Sequence, residues 1–171
     1  MPQISSSDKY DLNRIIIKPL YFGLVVNVLI PMGLLLVCFY FENQQSLYNR
    51  IFGFANNLFY IFAALSIAQS GLSLWMRNRM METPMIRRQE TFEQDLVQGL
   101  VAKSRPVFIL IALIALYGFV YFMLTARFKE TVFLVFFSFV IFQLVRPRFG
   151  FVRKLIARQE AMWENGQFLG D

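Results

Sequence analysis

Four stretches of the chain carry no charged residue at all. They are residues 20–41, 51–76, 107–126 and 131–145, which hold 22, 26, 20 and 15 residues. A helix needs about 20 apolar residues to cross the hydrocarbon core of a bilayer, and the first three meet that length. The fourth is shorter and spans if Lys129, Glu130 and Arg146 reach out to the headgroups from its ends. The expected fold class is therefore an all-α integral membrane protein with four transmembrane helices.

Between and after these spans the pattern turns amphipathic. In residues 84–103, Met85, Phe92, Leu96 and Leu100 fall on one stripe, with Thr83 as the predicted N-cap and Pro84 as the first helical residue. In residues 149–164 the stripe is Val152, Leu155, Ile156 and Trp163, flanked by Arg153, Lys154 and Arg158, and Gly166 is the predicted stop. Two amphipathic helices are expected here, lying in the headgroup layer or on a partner subunit.

These elements group into two hairpins. The expected organisation is a tail at 1–17, a first unit at 18–104 and a second at 105–171. Several marks recur in the same order in both units. "KPLYF" at 18–22 and "RPVFI" at 105–109 lead in, with Pro19 and Pro106 expected in the first helical turn, and Arg77-x-Arg79 and Arg146-x-Arg148 lead out. The triplet Arg88, Gln89, Glu90 follows Arg77 after 11 residues, and Arg158, Gln159, Glu160 follows Arg146 after 12. The spacing from proline to Arg-x-Arg differs, 58 residues against 40. The common order predicts a parallel internal repeat, with an axis along the membrane normal. The two triplets read either as solvated polar faces or as a repeated docking surface for a partner.

Charge fixes the expected orientation. The net charge is +6, and 14 of the 17 Lys and Arg residues lie in the tails and the long middle segment. The positive-inside rule then puts both termini and that segment in the cytoplasm. Anionic lipid headgroups are the expected partners of this charge, and nucleic acid is not. The first apolar stretch is too long for a signal-peptide core, and the N-terminal tail, with Asp8, Asp11 and few arginines, is unlike a transit peptide. A multi-pass protein of a bacterial inner membrane is expected, with a thylakoid or other organellar membrane left open.

Polar residues inside the spans are the candidate chemistry. Pro31 withholds the amide that would bond the Asn27 carbonyl, so the helix is expected to kink there and leave one backbone acceptor without its partner. Asn27 and Gln69 lie at matching depth, and a hydrogen bond between them is predicted. Span two is expected to carry Asn56, Tyr60, Ala63, Ile67, Ser70 and Leu74 down one face, with Asn56 and Asn57 at the mouth of any groove. No Asp, Glu, Lys or Arg lies within a span, whereas proton-coupled transporters use such groups. Histidine is absent and Cys38 is the only cysteine, so no cofactor or metal site is expected. The resulting expectation is a non-catalytic accessory, scaffold or assembly subunit of a larger membrane complex, partnered by other integral membrane subunits. The alternative is a homo-oligomeric channel or a transporter of lipid or neutral solute. The latter would gather Asn27, Asn56, Asn57 and Gln69 around a hydrated cavity.

Overall fold

A computed structural model describes residues 10–43, 54–167 and 169. Among them there is no strand. The tail before Tyr10, most of the connector after span one (with Tyr48 and Arg50), and the first residues expected in span two lie outside the described residues. The helices are α1 (Leu12–Leu24), α2 (Ile30–Asn43), α3 (Ala55–Arg79), α4 (Phe92–Thr125), α5 (Phe128–Val145) and α6 (Phe149–Glu164). A π-helical turn, Val25–Leu29, joins α1 to α2, and a 3₁₀ turn, Gln89–Thr91, precedes α4. Four helical stretches are long and apolar enough to cross a membrane: Leu12–Glu42, Ala55–Arg79, Gln89–Thr125 and Phe128–Val145.

Three expected boundaries are corrected. The first helix does not begin near Pro19. It begins at Leu12, because the Asp11 carboxylate accepts from the Asn13 and Arg14 amides at 3.1 and 3.3 Å and caps it. Thr83 and Pro84 do not start a helix; the chain from 84 to 88 is irregular, and helical structure resumes at Gln89. Finally, no break separates the amphipathic stretch from span three, and Pro106 lies well inside the 34-residue α4. The reason is visible in the buried positions Phe92, Leu96, Leu100, Val107, Ile111 and Ile114, which form one unbroken stripe at helical spacing. Continuing the helix keeps that stripe on one face, at the cost of the hydrogen bond the proline cannot make.

The last helix agrees with its expected bounds, 149–164. It ends in a complete Schellman motif: Gln167 N–H bonds the Met162 carbonyl at 2.9 Å and Gly166 N–H bonds the Trp163 carbonyl at 3.0 Å. Gly166 sits at φ +73°, where a side chain would be strained.

The described chain forms two compact units, each drawing on both expected hairpins. One comprises residues up to Phe22, Trp75–Val107 and Arg146 onward; the other comprises Gly23–Leu74 and Phe108–Val145. In the second unit α4 and α5 approach closely behind the tight link at Ala126 and Arg127. There the Thr131 hydroxyl donates to the Gly118 carbonyl at 3.1 Å. A Cβ on Gly118 would lie 3.1 Å from the Thr131 carbonyl oxygen and 3.2 Å from Leu134 Cβ. Small residues permit such approaches between apolar helices. Gly23 plays the same part, since its Cβ would meet the Phe142 ring at 2.8 Å and the Phe108 ring at 3.0 Å. Gly118→Ala is expected to destabilise the detergent-solubilised protein by about 1–3 kcal/mol. Thermal unfolding followed by circular dichroism checks this, and an unchanged midpoint contradicts the close approach.

Candidate functional site

Asn27 occupies the π turn, where Ile30 N–H reaches back to the Val25 carbonyl. The wide turn directly before Pro31 makes room for a ring that clashes with a regular α-helical carbonyl. At the position of the expected kink the helix widens into this π turn. Asn27 is 1% exposed. Its Nδ2 donates to the Gly23 carbonyl at 3.2 Å, which fixes the amide's orientation because a carbonyl can only accept. Its Oδ1 is buried without a partner among the described residues. Asn27 and Pro31 also border a cleft of about 270 Å³ whose other walls, including Leu35, Val135 and Phe139, are apolar.

The predicted hydrogen bond between Asn27 and Gln69 is not formed. Gln69 Nε2 instead donates to the Leu110 carbonyl of α4 at 2.8 Å. Both amides find nearer backbone carbonyls, and a backbone acceptor already held in place costs less ordering than a second flexible side chain. The polar face expected on α3 also divides. Ser66, Ser70 and Ser73 are buried, while Asn56, Asn57, Tyr60 and Ile67 are exposed. The serine hydroxyls bond back to the carbonyls of Phe62, Ser66 and Gln69 at 2.7, 2.7 and 2.9 Å. This is the local back-bonding available to helical serines, and it hides their polarity inside their own helix. Asn56 meets Arg127, whose Nη1 donates to Oδ1 at 2.5 Å.

The two Arg-Gln-Glu triplets differ in conformation and environment. Arg88, Gln89 and Glu90 are all exposed at the start of the 3₁₀ turn. Beneath them the Asp95 carboxylate accepts from the Arg87 and Arg88 amides at 3.0 and 3.3 Å and from the Thr91 hydroxyl at 3.0 Å. The second triplet lies inside α6. Arg158 is exposed, but Gln159 is 1% exposed and is no docking residue. Its Oε1 accepts from Met85 N–H at 2.8 Å and its Nε2 donates to the Thr83 carbonyl at 3.0 Å. The side-chain amide thereby completes the backbone hydrogen bonding of an irregular segment whose Met85 and Ile86 are buried. Glu160 is half-buried beside Tyr10, whose ring stacks on Phe92 at 4.9 Å. Burial first, and then the Glu160 charge, push the Tyr10 phenol above its ordinary pKa.

The sequence pattern did not reveal this clamp. Its one signal was a glutamine one turn before Met162 on the apolar face of α6, with Val152, Leu155 and Ile156. The role of Lys103 was equally hidden: its ammonium donates to the Thr83 hydroxyl and lies 3.5 Å from the Thr83 and Pro84 carbonyls. No known protein family, curated protein or solved structure matches the chain.

Two outcomes follow from these contacts. Gln159→Met keeps the volume but leaves a buried N–H and C=O without their partner, so a loss of about 1–3 kcal/mol is expected in thermal unfolding. An unchanged midpoint would remove the clamp. Asn27→Leu should hold or raise the midpoint, because an orphaned buried acceptor carries a desolvation cost of similar size. A marked fall in the same assay would mean that Oδ1 has a partner.

Proposed function

We propose that this protein is a non-catalytic accessory, scaffold or assembly subunit of a larger integral membrane complex. The chain crosses a bacterial inner membrane four times as two hairpins, with both termini and the basic middle segment in the cytoplasm. The observation that carries this reading is the treatment of the polar groups in the spans. Ser66, Ser70, Ser73 and Gln69 are bonded to backbone carbonyls, and Asn56 and Asn57 face outward, far along α3 from Gln69. A conduit for solute would turn such groups toward a common wet path, as the rival reading requires. What remains for recognition is the outer surface, where Phe133 and Phe136 are 56% and 63% exposed.

A cytoplasmic partner would dock on Arg88, Gln89 and Glu90. Their side chains are exposed while Asp95 holds the Arg87 and Arg88 amides, so the backbone there is ordered before any partner binds. Arg158, exposed on α6, is a second candidate contact. The Lys-Pro and Arg-Pro pairs ahead of two apolar stretches and the Arg-x-Arg pairs after them support an ancestral duplication of the hairpins. The Arg-Gln-Glu triplets lend it nothing, since one opens a 3₁₀ turn and the other lies inside an α-helix.

Purification of the tagged protein from its native membrane in gentle detergent tests the reading. Stoichiometric co-migration with other membrane subunits is expected, and it should be lost in Arg88→Ala/Glu90→Ala/Arg158→Ala without a change in thermal midpoint. A pure homo-oligomer would overturn the subunit reading and return attention to transport.

A further inference from the structure

A cleft of about 370 Å³ opens between the end of α3 and the middle of α4, lined by Trp75, Arg79, Met80, Thr83, Lys103 and Pro106 among others. Both of its walls lie where an apolar stretch of sequence gives way to charge. On α3 the change comes between Met76 and Arg77, and on α4 between Arg105 and Val107. Those transitions mark headgroup depth for a helix that enters a bilayer. Trp75 is 54% exposed, as expected of a ring at a membrane–water boundary.

The charge of the cleft is one-sided. Arg79 and Lys103 are its charged lining residues, and no carboxylate joins them. The Arg79 guanidinium lies 5.1 Å from the centre of the Trp75 ring. Among the described residues, the Lys103 ammonium meets only neutral oxygens, those of Thr83 and Pro84. A half-buried ammonium is stabilised far more by an anion than by hydroxyl and carbonyl dipoles. Met76, Met80, Ala102 and Pro106 make the remaining wall apolar. The required occupant is thus anionic at one end and apolar at the other.

We propose that this cleft holds the headgroup phosphate of an anionic phospholipid. Arg79 and Lys103 take the phosphate oxygens, while the glycerol and the start of an acyl chain lie along Trp75, Met76 and Pro106. The proposal rests on the membrane placement above and is independent of any partner complex, so failure to find co-purifying subunits leaves it standing.

The test is native mass spectrometry of the full chain released from nanodiscs of equal phosphatidylglycerol and phosphatidylcholine. Selective retention of phosphatidylglycerol is expected, lowered roughly fivefold by Arg79→Gln, the weight of one cation near a membrane surface. Lys103→Gln should act alike, but it also alters a contact with Thr83, so the substitution at the exposed Arg79 is the deciding one. Arg153→Gln, on the exposed face of α6, should change nothing. Equal retention of the two lipids, or an equal loss in Arg153→Gln, would overturn the site in favour of diffuse surface charge. Displacement of the lipid by millimolar inorganic phosphate would assign the cleft to free anions instead and likewise sink the proposal.

Discussion

Within hydrocarbon no water is available to satisfy a polar group, so one left without a partner inside the protein, as Asn27 Oδ1 is, carries a cost. That constraint accounts for most of what is particular here. Serines of α3 turn back to their own helix, Gln69 reaches the Leu110 carbonyl, and Thr131 bridges to Gly118. Each bond requires helices to stand close or a side chain to fold inward. Gly118 lets the Thr131 backbone approach to the distance its bond needs, and Gly23 makes room for the Phe108 and Phe142 rings.

Away from the apolar core the same constraint acts on the backbone. The segment from 83 to 88 is irregular yet carries buried Met85 and Ile86, so its amides and carbonyls need fixed partners. Gln159 serves two of them, Asp95 two more, and Leu169 N–H bonds the Ile86 carbonyl at 2.9 Å. One neighbouring and two distant parts of the chain therefore converge on one short stretch. Lys103 joins them from α4, its ammonium held by oxygens of Thr83 and Pro84.

Sequence pattern alone located all four apolar helices and the full extent of α6, because these depend on composition and on a stripe that any window can read. It misjudged the prolines. Pro19 and Pro106 look like first-turn residues, yet tertiary burial of the flanking stripe keeps both inside longer helices. It also paired Asn27 with Gln69 by depth, when depth says nothing of the direction in which each side chain leaves its helix. The identity of Arg-Gln-Glu at two positions was visible, but their opposite burial was not. Whether a glutamine faces water or a stretch of irregular backbone is decided by residues more than seventy positions away.

That separation has a temporal side. Ribosomes add roughly 5–20 residues each second, and the Thr83 carbonyl waits for a side chain 76 residues further along. During those seconds Met85 and Ile86 lack their cover from α6, and two backbone groups stand without their final partner. The unit containing them closes only after α5 has been made and α6 has emerged behind it. A chain truncated before Gln159 keeps every apolar helix, yet leaves the Met85 amide and the Thr83 carbonyl without the side chain that bonds both.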